Sequence, residues 1–303
     1  MSEAKIISIE GAVDLHLHSG PSVFQRPYDD VTLARAAANA GMKALVYKDH
    51  FEDTASRAYY ANKYVPEIKS FGCIVLNRYM GGLNPYAVEA SLVRGTKLVM
   101  MPTIDAQNHA DIYGSTGHYQ LAGKTTGARS SYTSKRMVTD KGLSILSGSE
   151  LVPEVKDIVQ LTQQFDAILG TGHLSNKEIF ALVEYASSIN FNKIILTHVN
   201  FRHEVKLTLK EINQLLDSGT SYAEFMAACV FPPMSWNDIP IVEWMQTLRP
   251  DRCVISSDTG SPLYPICPEA LRCFAQNLYE NGIAEEELTM MMNTSPSKLL
   301  GID

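Results

Sequence analysis

Short apolar runs recur along this chain at a nearly fixed interval, and that rhythm constrains the fold more than any other feature. The runs are AVDLHLH (12–18), KALVYKD (43–49), CIVLNRY (73–79), KLVMMP (97–102), AILGTG (167–172), KIILTH (193–198), AEFMAAC (223–229) and CVISSD (253–258). Their starts lie 31, 30, 24, 70, 26, 30 and 30 residues apart. A strand with its crossover helix takes about 30 residues, so every step but one has the length of a βα unit. Most runs are apolar at successive positions, as parallel strands buried on both faces are.

Helical patterns fill the intervals. Residues 31–40 carry apolar groups at helical spacing, and Gly41 is a natural stop. Asn84-Pro85 reads as a cap followed by proline at the first helical position. Ser175-x-x-Glu178 reads as a capping box. Further helices are expected over 203–218 and 268–281, each followed by glycine, with a short closing helix in SPSKLLGID. Eight strands alternating with helices predict an α/β chain folded as a (β/α)8 TIM barrel. The rival, an open doubly wound sheet, often has a glycine-rich phosphate loop after its first strand, where this chain has HLHSGPS.

One domain over 1–303 is expected, with the long step as an insertion at 104–150. That segment is rich in Gly, Ser and Thr and follows strand four, on the side where barrels build active sites. It is expected to act as a lid. Lys124, Arg129, Lys135, Arg136 and Lys141 crowd its second half against Asp140, which suits an anionic substrate.

Composition excludes several classes. The 26 Lys+Arg against 33 Asp+Glu give a net charge of −7, the wrong sign for a general nucleic-acid coat. No apolar run reaches the 18 or so residues that span a bilayer, and MSEAKIISIEGAVD lacks a signal-peptide pattern. The five cysteines form no CxxC pair, as expected for reduced thiols. A cytoplasmic protein is expected, with a small-molecule partner, no nucleic acid, no membrane, and room for a homo-oligomer.

Five of the 8 histidines sit at or just past predicted strand ends: His16, His18, His50, His173 and His198. His16 and His18 are two apart on a strand, so both point one way. With His173 after strand five, His198 after strand six and Asp258 after strand eight, they meet the ligand chemistry of a catalytic metal site. On strand two, Lys48 and His50 share a face. Arg26, Arg57, Arg78 and Asn84 follow strands one to three and can reach an anionic substrate, although Asn84 serves equally well as a helix cap. His109 and His118 lie in the insertion and can close over the site. His203 reads as structural, and Trp236 with Phe231-Pro232-Pro233 can wall a pocket.

HLH after strand one, single histidines after strands five and six, an aspartate after strand eight and the ending NTSPSKLLGI resemble the amidohydrolase superfamily, from Gly11 to Ile302. The nearest pattern is a branch with Lys-x-His after strand two. The resemblance implies one or two divalent metals per chain, zinc first, with manganese, iron and nickel as alternatives. It implies His16, His18 and Asp258 on the more buried metal. His173 and His198 would hold a second metal, or His173 would join the first while His198 holds substrate or the attacking water. Asp258 would also be the general base. Strand four, ending MMPTID, lacks the bridging Lys or Glu of many relatives, unless Asp105 reaches back. Lys48 is a candidate for that bridge as a carbamate, or else a cation for a substrate carboxylate, and His50 a ligand or a hydrogen-bond donor to substrate.

The expected activity is hydrolysis of a small anionic cyclic amide, lactone or ester by metal-activated water. A metal-dependent decarboxylase, a phosphoester hydrolase and a non-catalytic metal-binding barrel are the alternatives.

Overall fold

A computed structural model describes residues 5–117, 119–121, 124–126, 141–201, 205–231 and 240–302. The expectations for His118, Arg129, Lys135, Arg136, Asp140, His203, Pro232-Pro233 and Trp236, and for the Lys124 side chain, fall outside what is described.

The chain is α/β. Its parallel strands are β1 (Val13–His18), β2 (Ala44–Lys48), β3 (Lys69–Phe71), β4 (Cys73–Val75), β5 (Leu98–Met100), β6 (Ile168–Gly170), β7 (Ile194–Leu196), β8 (Ser221–Met226) and β9 (Cys253–Ser256). They form two sheets, one ordered β1-β2-β3 and one ordered β9-β8-β7-β6-β5-β4. Only Gly72 separates β3 from β4, and a Cβ there would lie 2.6 Å from the Ala55 Cα. β3 pairs with β2 and β4 with β5, so β4, at the start of the third expected run, belongs to one sheet, while β3, which lies ahead of that run, belongs to the other. At the other edge, the ends of β1 and β9 exchange backbone hydrogen bonds, His18 N to Thr259 O at 2.8 Å and Asp258 N to His16 O at 2.7 Å. Among the described residues no ladder joins the two sheets, so a closed barrel goes beyond the pairing observed.

Both sheets share one buried core. Val13, Leu15, Val46, Val75, Met100, Ile168, Ile195, Tyr222 and Val254 form a single cluster covered by Leu299 and Leu300. The helices pack on the opposite faces, against Leu17, Leu45, Tyr47, Ile74, Val99, Leu169, Leu196, Phe225 and Ile255. In β1 the register slips between Asp14 and Leu17. Val13 and Leu15 therefore join the inner cluster and Leu17 the outer one. A slip of one residue exchanges the faces of a strand, and this one leaves His16 and His18 opposite Leu17, on the inner side.

Helix α1 (Asp30–Asn39) is capped by Asp29, which accepts from Thr32 N. Helix α2 (Ala55–Tyr64) follows β2. Asn84 caps α3 (Pro85–Val93) by accepting from Tyr86 N, with proline at the first helical turn; such caps are worth about 1 kcal/mol. Helices α4 (Gln107–Tyr113) and α5 (Pro153–Gln164) lie in and after the long step. The Ser175/Glu178 capping box opens α6 (Asn176–Ser188). The helix expected from 203 instead starts at Leu209, because Thr208 and Glu211 form a second capping box that fixes the start of α7 (Leu209–Asp217). The third strand, expected to reach 79, ends at Val75, and Arg78–Met80 form a 3₁₀ turn. The closing helix is Ser295–Leu300. No helix among the described residues is long and apolar enough to cross a membrane.

Candidate metal centre

His16, His18 and Asp258 each offer a ligand atom, and these atoms lie within 4.8 Å of one another. β1 delivers the two histidines. Asp258, just past β9, holds a positive φ of 48° and is drawn to β1 by its own N–H on the His16 carbonyl. Gly260 follows at φ +132°, so close to β1 that a Cβ would lie 2.3 Å from the His18 carbonyl oxygen and 2.6 Å from the His18 Cβ. Only glycine fits there, and it lets the segment after β9 close against His18.

The two histidines differ electrostatically. His18 Nδ1 lies 2.9 Å from the Lys48 carbonyl oxygen, which can only accept, so the His18 proton sits on Nδ1. Burial, then the Arg26 guanidinium, hold His18 well below its ordinary value, hence neutral. Its Nε2 faces Asp258 Oδ1 at 3.2 Å. Burial pushes the Asp258 carboxyl up, but the charge and hydrogen bond of His16 lead the opposing causes, and it is held well below the usual range. Two lone-pair atoms therefore face each other with no proton between them, an arrangement that a cation stabilises. The donor set of two imidazoles and a carboxylate fits a borderline divalent ion.

His16 is fully buried, with carboxylates at both ring nitrogens: Glu224 Oε2 at 3.2 Å from Nδ1 and Asp258 Oδ1 at 3.0 Å from Nε2. Burial opposes its charge, yet Asp258 and Glu224 prevail over Lys48 and bring it up to about 9. Lys48 Nζ also lies 2.8 Å from His16 Nε2. The two contacts at Nε2 compete, Asp258 favouring a proton there and Lys48 a lone pair.

Four further histidines of the described residues, His50, His109, His173 and His198, lie around this cluster. Gly172, at φ +57°, turns the chain after β6 where a Cβ would meet the Met101 carbonyl at 2.4 Å, and His173 follows. His173 Nδ1 lies 3.0 Å from His109 Nδ1, with the rings stacked at 5.2 Å. α4 thus carries His109, expected from the sequence as an insertion residue able to close over the site, against His173. His198, at φ 36°, packs its ring 5.2 Å from His173 and 6.1 Å from His16. His50 stacks on His18 at 5.0 Å and bonds Thr103 Oγ1 through Nδ1 at 2.8 Å. Burial, then Lys48 and His18, hold it well below its ordinary value.

The four candidate substrate residues separate. Arg26 packs over Phe24, which touches His50, and its charge acts on His18 and His50. Arg57 is committed elsewhere, to Asp30 through Nε at 2.8 Å and Nη2 at 3.0 Å, and to Glu52, Ser19 Oγ and the Gly20 and Pro21 carbonyls. Arg78 donates to the Lys141 carbonyl, and its backbone N–H to Asp105. Asn84 is the α3 cap. Asp105 meets Arg78 at the base of the insertion.

Two partners were not singled out in the sequence. Glu224 stands alone as a charge in the apolar run AEFMAAC, which is the signal that could have found it. Asn77 joins the ends of β2 and β5, donating to the His50 carbonyl and Thr103 Oγ1 and accepting from Thr103 N; one asparagine beside Arg78 carries no comparable signal.

Residues 11–224 match the model of a family of unknown function, DUF6282, and the chain belongs to that family. A comparison with curated proteins finds no match. Among solved structures, a β-aspartyl dipeptidase from Fervidobacterium islandicum is similar at TM-score 0.59 and 13% identity, over 96% of this chain and 72% of that one. A dihydroorotase from Campylobacter jejuni is similar at TM-score 0.57 and 11% identity, over 97% and 84%. An amidohydrolase from Pseudomonas aeruginosa is similar at TM-score 0.54 and 11% identity, over 95% of each chain. At these identities the likeness speaks to the fold alone, which is shared with an enamidase described as a member of the amidohydrolase superfamily (TM-score 0.56, 11% identity).

Proposed function

We propose that this chain is a metal-dependent hydrolase of a small anionic substrate carrying a cyclic amide, lactone or ester bond. The observation that carries the reading is the pair of facing acceptors, His18 Nε2 and Asp258 Oδ1 at 3.2 Å, with His16 Nε2 beside them. In this reading the two sheets are arcs of one (β/α)8 barrel, the chain acts as one domain, and 104–150 covers its mouth. The five free cysteines suit a reducing, cytoplasmic setting.

His16, His18 and Asp258 would hold the ion, with His173 and His198 placed to complete its shell, to hold a second one or to orient substrate. Zinc heads the candidates, before manganese, iron and nickel. A divalent ion supplies activation of water and polarisation of the scissile carbonyl. Asp258 takes the proton of the attacking water on the oxygen not engaged by the histidines and passes it to the leaving group. It stays ionised, and its side chain is 15% exposed, open to the mouth. His50 is neutral and anchored through Nδ1 on Thr103, so its Nε2 serves the substrate. Arg26 supplies the cation for the anionic group. Lys48 is either a bridging carbamate or a second such cation.

A second reading, a metal-dependent decarboxylase, keeps its place because Asp105 is bound to Arg78 and not to the histidines. Without a strand-four bridge, a single ion suffices.

The test measures metal content and native mass of untagged protein, with turnover of cyclic imides, lactones and N-acyl amino acids and carbon dioxide release from carboxylic acids. Bound metal in the wild type that His16→Ala/His18→Ala loses supports the site. Hydrolysis that Asp258→Asn lowers by at least a hundredfold supports the base role. Metal retained by the double variant refutes the ligands, and a near-normal Asp258→Asn rate refutes the base. Carbon dioxide release without hydrolysis selects the decarboxylase.

A further inference from the structure

Glu224 lies on β8 and takes no place among the ligands. It is 1% exposed, a buried carboxylate in a strand otherwise made of apolar and small residues. One of its oxygens, Oε2, meets two groups of the rim: His16 Nδ1 at 3.2 Å and the His198 backbone N–H at 3.1 Å. One carboxylate thus ties β1 and the turn after β7 to β8, and both ties end on residues of the histidine cluster.

We propose that Glu224 is a positioning residue of the metal centre: by accepting the His16 Nδ1–H, it turns the His16 Nε2 lone pair toward Asp258 and fixes His198 at the same time. An imidazole binds an ion through one nitrogen only when the other keeps the proton, and a carboxylate is the strongest common acceptor for that proton. The negative charge also raises the basicity of the ring it faces. The shared oxygen gives the arrangement a second consequence. His198 N–H and His16 Nδ1–H converge on one atom, so moving Glu224 displaces both histidines together. Outer carboxylates of this kind typically change metal affinity by about 10–100-fold.

This role rests on the proposed metal centre. The experiment therefore titrates Zn²⁺ against a chromophoric chelator in wild type, Glu224→Gln and Glu224→Ala, with the melting temperature of each metal-free protein as a fold control. Glu224→Gln keeps the volume and one acceptor oxygen but loses the charge, and is expected to weaken Zn²⁺ about tenfold. Glu224→Ala removes the acceptor, and is expected to weaken it about a hundredfold. The imidazole ¹⁵N and ¹H signals of His16 in the Zn²⁺-loaded protein supply the readout that a packing role would not move. The Nδ1 proton is expected far downfield in wild type and shifted upfield in Glu224→Gln. If wild type takes up no Zn²⁺, the metal centre itself falls, and this role with it. Wild-type binding matched by Glu224→Gln, with an unmoved Nδ1 proton, overturns the Glu224 role alone. Should Glu224→Ala fail to fold, Glu224→Gln decides.

Discussion

Arg57→Ala separates two readings of one residue. The sequence places Arg57 among the groups that reach an anionic substrate. In the structure it grips the segment between β1 and α1 from the side of α2. Two of its nitrogens lie 2.8 and 3.0 Å from the two Asp30 oxygens, with side-chain exposures of 12% and 11%. Further bonds reach the Gly20 and Pro21 carbonyls. Truncating one partner of a buried ion pair costs about 3–5 kcal/mol, because the other charge is left without its cation. Glu52, 45% exposed, adds little, so the lower end, about 3 kcal/mol, applies. At about 2.1 cal/mol/K of unfolding entropy per residue, a 303-residue chain carries about 0.6 kcal/mol/K, and Tm falls by about 5 °C. The assay is thermal unfolding without ligand of wild type, Arg57→Ala, Asp30→Ala and the double variant. The double variant is expected to lose clearly less than the sum of the singles. A Tm within 1 °C of wild type for Arg57→Ala, or additive losses, would refute the structural role and return Arg57 to the substrate.

Two other perturbations reach the metal centre. His16, up at about 9 between Asp258 and Glu224, holds a proton at pH 7 that an ion must displace; affinity for Zn²⁺ should rise about tenfold per pH unit from 7 to about 9 and then level off. Calorimetry in buffers of different ionisation enthalpy should detect the released proton, and affinity flat across that window would contradict the assignment. The same raised value means that His16 stabilises the metal-free fold fully below its unfolded value, about 6.5, and that this contribution is lost as pH rises through about 9. Gly260→Ala would set a Cβ 2.3 Å from the His18 carbonyl oxygen, so the segment carrying Asp258 must move. A loss of Zn²⁺ affinity of more than tenfold is expected by the scale of outer-shell changes. Gly95→Ala, at φ +98° with nothing within 4 Å of its Cβ, should cost stability and leave Zn²⁺ binding intact; equal effects of the two would show that strain alone is being measured.

The βα rhythm was legible because a strand and its crossover helix have a nearly fixed length, and the caps at Asn84 and Ser175 because their chemistry is local. The extra strand at Lys69–Phe71, ahead of the third run, is not legible, since Gly72 sets it apart from β4 through its approach to Ala55, a contact far from any sequence pattern. The two-residue spacing of His16 and His18 puts them on one face, but the register slip that turns that face inward depends on pairing with β2. Arg57 is ambiguous in sequence because an arginine near a mouth looks the same whether it awaits an anion or holds Asp30, as it does here. Glu224 is hard to see in sequence because its run reads as core and its partner at the His16 ring is 208 residues away.

The two histidines of the HxH pair also perform different tasks, which bears on how two buried carboxylates persist here. Asp258 and Glu224 both stay ionised although burial opposes it. A buried carboxylate without a cation would cost several kcal/mol. His16 supplies the cation for both, while neutral His18 presents only an acceptor. On the proposed metal site, an ion held by His16, His18 and Asp258 would supply the positive charge facing Asp258 in place of the His16 Nε2 proton, with the His16 Nδ1–H still on Glu224. Each carboxylate would then have a cationic partner with and without the ion, so that occupation of the proposed site would be an exchange of one cation for another.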